Sequence, residues 1–191
     1  LNPHRCLALS LVYYIQFLRV LLDKLIFCSF LCFTFDKGGI VFLKNFGKNK
    51  NIKMFKREMT LQNLNEIGKG NMVEYLGIEF TEIGPDYLVA KMPVDHRTRQ
   101  PFGILHGGAS VVLAESMGSL ASFLSLDPNS TQKPVGLEIN ANHLKAAKSG
   151  WVYGKVLPIH IGSRTHVWEI QISDENQKRV CVSRITVMII D

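Results

Sequence analysis

His106, Gly107, Gly108 and Glu115 fall within ten residues of one another. The residues after Gly108 (Ala109, Val111, Val112, Leu113, Ala114, Met117, Leu120, Ala121, Phe123 and Leu124) are apolar on nearly every face. They predict a helix over about 106–126 that is buried all round. An ionised carboxylate in such a helix is costly unless it is paired or put to use. Glu115 is therefore a candidate nucleophile or general base, able to attack a carbonyl or activate water. The plainer alternative is a glutamate that faces solvent or pairs with a structural arginine. Gly107 and Gly108 open the helix without a Cβ, so N–H groups at its positive end can approach a ligand oxygen closely. The Gly107 N–H would serve as an oxyanion donor, with His106 beside it as a positioning group or second donor; an ordinary tight entry turn would read the same way. Ser119, four residues after Glu115, shares its helix face. It suits holding water or a leaving group, or packs as a common helix serine.

These groups need a scaffold, and the rest of residues 54–191 supplies one. Leu61, Leu64 and Ile67 recur at helical spacing, with Thr60 as N-cap and Gly68-Lys69-Gly70 as the stop, so a short amphipathic helix is expected there. Residues 77–83 and 86–94, divided by Gly84-Pro85-Asp86, read as a hairpin. Four strand-like runs follow the long helix, near 134–146, 150–159, 163–173 and 178–190, and Gln171 and Ser173 alternating with Ile170 and Ile172 give one wet and one buried face. A helix without a polar face needs a wrapper, and an antiparallel sheet with one apolar face is the available one. The expectation is an α+β domain with a sheet around a long central helix.

Composition narrows the partners. The chain carries 22 Lys/Arg and 16 Asp/Glu, net +6. Residues 1–53 hold eight of those basic and two of those acidic residues, leaving fourteen of each sign in 54–191. A net charge of zero over the domain removes the compositional case for nucleic-acid binding. Cys6, Cys28 and Cys32 lie in the first 53 residues and only Cys181 in the domain, so there is neither a disulfide framework nor a Cys-x-x-Cys zinc pattern, as suits a reducing cytoplasm. Residues 1–53 are apolar, but Arg19, Asp23 and Lys24 interrupt them too early for a transmembrane helix. They are expected to be non-domain sequence, either upstream translated sequence or disordered, with an interfacial anchor as the alternative. Gly-x-Ser-x-Gly, His-Glu-x-x-His and phosphate-binding glycine motifs are all absent, which removes the commoner serine hydrolases, metallohydrolases and nucleotide folds.

Residues 100–115, extended through Ser116-Met117-Gly118-Ser119, resemble the signature of hotdog-fold acyl-CoA thioesterases. Met92-Pro93-Val94-Asp95-His96-Arg97-Thr98, Glu138-Ile139-Asn140-Ala141-Asn142-His143 and Val167-Trp168-Glu169-Ile170 extend the likeness across residues 54–191. It is strongest to the group that hydrolyses 1,4-dihydroxy-2-naphthoyl-CoA in menaquinone synthesis, together with the relative that clears misloaded aroyl groups from enterobactin synthesis. The resemblance implies hydrolysis of an acyl-CoA thioester, preferably aromatic, without metal or bound cofactor, in a cytoplasmic homodimer or homotetramer with sites shared between subunits. Phenylacetyl- or hydroxybenzoyl-CoA is the alternative substrate, and a non-catalytic acyl-CoA-binding module the alternative role; a hotdog dehydratase is the more distant one. By the same resemblance Glu115 is the catalytic carboxylate, and Gln100 orients the thioester carbonyl or the attacking water. His143 contacts the acyl or pantetheine region, and Gly162 and Arg164 belong to a turn near the pantetheine and phosphates. Where relatives tend to show His-x-Arg-Pro, this chain has His143-Leu144-Lys145-Ala146. Lys145 keeps a positive charge for the phosphates but lacks the arginine fork.

Overall fold

The computed structural model describes residues 54–191 and, before them, the backbone of two short strands, β1 (Thr34–Asp36) and β2 (Gly39–Val41), which pair antiparallel. The chain divides into two units, Leu1–Asn51 and Ile52–Asp191. Apart from β1 and β2, the expectations for residues 1–53 lie outside the described residues.

The second unit runs α1 (Leu61–Ile67), α2 (Met72–Tyr75), β3 (Glu79–Ile83), β4 (Leu88–Pro93), α3 (Gly107–Ser125), β5 (Lys133–His143), β6 (Trp151–Ile161), β7 (Thr165–Asp174) and β8 (Arg179–Ile190). Strands β3 to β8 form one antiparallel sheet in the order β3-β4-β6-β7-β8-β5. This is the hotdog arrangement, with α3 lying across β4 to β8. Along β7 the residues alternate between buried and half-buried, with His166, Trp168, Ile170 and Ile172 turned to the core, as a period of two requires. Leu113, Met117, Ala121 and Leu124 of α3 pack there against Val152 and Val156 of β6 and Ile185 of β8. The buried indole N–H of Trp168 donates to Ser122 Oγ at 2.7 Å, so a polar group of the helix satisfies the one donor that the largest fully buried side chain of the sheet brings inside.

Two expectations are corrected. The sheet covers only one side of α3. Glu115 is exposed, as is Gly108, and Val111, Val112, Ser116, Ser119, Leu120 and Phe123 are half-buried. Six strands curl around little more than half of a helix, so the apolar residues opposite the sheet are only partly covered within one chain. In α1, Thr60 caps the helix and shares a capping box with Asn63, but of its apolar positions only Leu64 is buried, while Leu61 and Ile67 are exposed. The helix is fixed instead by Asn65, whose carboxamide exchanges two hydrogen bonds with the backbone of Phe80 in β3. Helix α2, opened by the Asn71 cap, lies in a stretch for which no element was expected.

Candidate active site

Residues 94–106 form a closed loop that delivers two groups to one place. Thr98 Oγ1 donates to the Pro93 carbonyl at 2.7 Å and accepts the Asp95 N–H. Asp95 holds the Arg97 guanidinium at 2.6 Å, and these hydrogen bonds lower its carboxyl to a pKa of about 2. The Gln100 and Ile104 backbones bond at 2.9 Å, Gly103 turns in the left-handed region at φ 78, and the His106 N–H donates to the Thr98 carbonyl. Gln100 is half-buried at the bend. Its side-chain oxygen accepts the Phe102 N–H at 2.7 Å, which leaves its NH2 group as the donor for a ligand.

His106 is the N-cap of α3. Its Nδ1 accepts the Gly108 N–H at 2.8 Å, so the neutral ring carries its proton on Nε2. A Cβ at Gly108 would stand 2.9 Å from that same Nδ1. A Cβ at Gly107 would stand 2.6 Å from Nε2 of His143. The glycine pair thus has a steric cause: each member makes room for an imidazole, and the two rings flank the helix N-terminus. With Gly108 N–H on His106 and the N–H groups of Ala109 and Ser110 on the His106 carbonyl, the Gly107 N–H is the first-turn donor without an acceptor among the described residues, as an oxyanion donor must be.

Gln100, His106, Gly107, Ser110, His143 and Lys145 line one cleft of about 580 Å³, with exposed Phe102 and Leu144 at its lip. Five sequence-predicted residues therefore meet. Lys145 is also paired with Asp174 at 2.7 Å, a hydrogen bond that holds the Asp174 carboxyl below its usual range.

The other four stand elsewhere in the same chain. Glu115 is exposed rather than buried and lies eight residues along α3 from Gly107, about 12 Å at 1.5 Å per residue. Its carboxylate rests against Gly136 of β5, a residue that the sequence reading passed over. A glycine inside a strand is a recognised sign of close approach and was the available signal. Ser119 faces a second, largely apolar cavity of about 390 Å³ among Leu64, Val73, Phe80, Leu120 and Phe123, which Ser116 also lines. Gly162 and Arg164 form the β6–β7 turn, where Gly162 N–H bonds the Thr165 carbonyl. On β8, His143 pairs with Cys181 whereas Thr165 pairs with Met188, so that turn is at the opposite end of the sheet from the cleft. Among the described residues no group of three or more His, Cys, Asp or Glu side chains could hold a metal ion.

Comparison with known proteins places this architecture. The model of the thioesterase superfamily matches residues 102–181. A 1,4-dihydroxy-2-naphthoyl-CoA hydrolase of Escherichia coli (strain K12) is 56% identical over 72% of this chain and 99% of its own length. A proofreading thioesterase EntH of Cronobacter turicensis is 50% identical over 70% and 96%. Among solved structures, thioesterase HI1161 from Haemophilus influenzae superposes with a TM-score of 0.70 at 48% identity, covering 72% of this chain and 95% of that one. SAV0944 from Staphylococcus aureus, solved as a glutamate-to-alanine and as a glutamine-to-alanine mutant, matches with TM-scores of 0.60 at 39% and 38% identity, over 63% of this chain and 98% of that one. The matching sequence, the six-stranded sheet and the helix it holds show that the chain belongs to the thioesterase superfamily, as a hotdog-fold enzyme that hydrolyses acyl-CoA thioesters.

Proposed function

We propose that the substrate is an aromatic acyl-CoA, with 1,4-dihydroxy-2-naphthoyl-CoA of menaquinone synthesis as first choice, and that Glu115 acts together with the Gly107 cleft of a second copy. The observation that carries the proposal is the open face of α3: it holds an exposed carboxylate that makes no ion pair or hydrogen bond among the described residues. Beside it runs β5, an edge strand with Val135 and Leu137 exposed. A second copy related by a two-fold axis would cover this face, extend the sheet through β5 and bring each Glu115 toward the other chain's cleft. The glutamine and glutamate replaced in the Staphylococcus aureus mutants are spaced in sequence as Gln100 and Glu115 are here, which favours a joint role for this pair.

In that site the thioester oxygen sits against the Gly107 N–H, with the Gln100 NH2 and His106 Nε2–H as neighbouring donors. The cleft's fixed donors stabilise the charge that develops on this oxygen. Glu115 either takes a proton from water as it adds to the carbonyl, or adds itself to form an anhydride that water then opens. In both routes the C–S bond breaks, coenzyme A leaves as a thiolate and takes up a proton, and the free acid remains. Neither route needs a metal or bound cofactor. Ser119 holds the water or leaving group. Lys145, Arg164 and Gly162 serve the nucleotide end, and the separation of Arg164 and Gly162 from the cleft along the sheet suits their coming from a different chain than the cleft. The working compartment is the cytoplasm, where acyl-CoA is made.

The 56% identity to the dihydroxynaphthoyl-CoA hydrolase supports the first choice, and the 50% identity to a proofreading thioesterase supports hydroxybenzoyl thioesters as the second. Thiol release measured across dihydroxynaphthoyl-, hydroxybenzoyl-, phenylacetyl- and palmitoyl-CoA should give the highest kcat/KM for an aromatic acyl group. Preference for palmitoyl-CoA would exclude the aromatic reading, and no turnover of any thioester would leave a binding module.

A further inference from the structure

Gly136 lies inside β5, a place where glycine ordinarily weakens a strand. It is not among the glycines with positive φ, Gly70, Gly77, Gly103 and Gly150, so the backbone does not call for it. Space does. A Cβ at Gly136 would stand 2.7 Å from Oε1 of Glu115 and 3.6 Å from its Cδ. The register of β5 against β8 also slips here: Gly136 pairs with Val187 and Glu138 with Thr186, leaving Leu137 as the extra residue. Such a bulge bends a strand and re-aims what lies beside it. With no ion pair or hydrogen bond on Glu115 among the described residues, the orientation of its carboxylate is set by α3 and by the strand it rests on.

We propose that Gly136, at the β5 bulge, is a positioning residue for Glu115: its missing side chain is the seat in which the carboxylate lies. The inference rests on the reading above that Glu115 performs the chemistry. It differs from a packing role in one physical respect. The atom that an alanine methyl would meet is the far end of a flexible side chain, so the carboxylate yields and the fold does not. A displacement of about 1 Å at a reacting group can cost on the order of 10²-fold in rate, whereas alanine is the better strand and helix residue in backbone entropy.

The test is Gly136→Ala, alone and in a Glu115→Asp background whose shorter side chain withdraws from the added methyl. The alanine variant should keep its melting temperature and its elution volume, keep KM, and lose about 10- to 10²-fold in kcat. In the Glu115→Asp background the same change should cost much less, because the obstruction has gone. Wild-type kcat in Gly136→Ala would overturn the proposal, and so would an equal loss in both backgrounds, which would place the effect in the strand rather than on the carboxylate. Glu115→Gln separates this from failure of the functional reading. If that variant retains turnover the mechanism is wrong, whereas if it loses turnover while Gly136→Ala does not, the positioning role alone is wrong.

Discussion

Glu115→Gln keeps the side chain's size and removes the charge that, in the proposed mechanism, attacks or takes a proton. We expect a loss of about 10²–10⁴ in kcat, the range for losing a general base, with KM for the acyl-CoA largely kept, as read by thiol release. Residue type and spacing alone mark Glu115, Gly107 and His106 as candidates, with a solvent-facing glutamate and an ordinary entry turn as open alternatives, and the resemblance is what gives them roles. The burial of Glu115 was misread, because an apolar helix in sequence does not say whether its own chain or another covers it. Gln100, His143 and Lys145 came into view only through resemblance: nothing in a loop glutamine or a strand-end histidine announces a cleft. The reasons for the two glycines and for Gly136 belong to distances between side chains far apart in sequence, which no local pattern carries.

Strand β7 brings a titratable group into the core. His166 is buried, with no hydrogen-bond partner for Nδ1 among the described residues, its ring at an edge to Trp168. Burial lowers its pKa below the usual 6.5, reinforced by nearby His160 and Lys56 and opposed by a backbone hydrogen bond at Gly162. The folded state therefore binds fewer protons than the unfolded state, and stability rises with pH in this range. His166 contributes stability above the unfolded value near 6.5 that is lost as pH falls from there toward its folded value. Urea unfolding between pH 7.5 and pH 5, all set as conditions of about those values, should show a falling midpoint for the wild type and a flatter one for His166→Gln. Asp95 acts in a lower window: with its carboxyl lowered from 3.8 to about 2, its contribution is present above the first value and lost as pH falls through the second. At this scale the sequence carried most of the fold. Period-two and helical patterns marked every element from α1 to β8 except the four-residue α2, too short for periodicity, and the bulges, which only pairing reveals.

The whole molecule must reconcile a cleft and a carboxylate about 12 Å apart on one helix. If two copies complete each other, chains carrying Glu115→Ala and Gln100→Ala, each nearly inactive alone, should recover activity when unfolded and refolded together. Random pairing makes half the dimers mixed, each with one intact site of two, so about a quarter of wild-type activity is the expected ceiling. Lack of recovery, with mixed dimers verified by native mass spectrometry, would place the whole site in one chain. The distance between Gly107 and Glu115 also bears on when the enzyme switches on. If the site is shared as proposed, a folded single chain would carry an oxyanion donor and a carboxylate that cannot reach the same carbonyl, and hydrolysis would wait for encounter between chains. Below the dissociation constant of such a pair, the rate would grow with the square of chain concentration, and newly made protein would stay silent toward the cell's acyl-CoA until enough of it had accumulated.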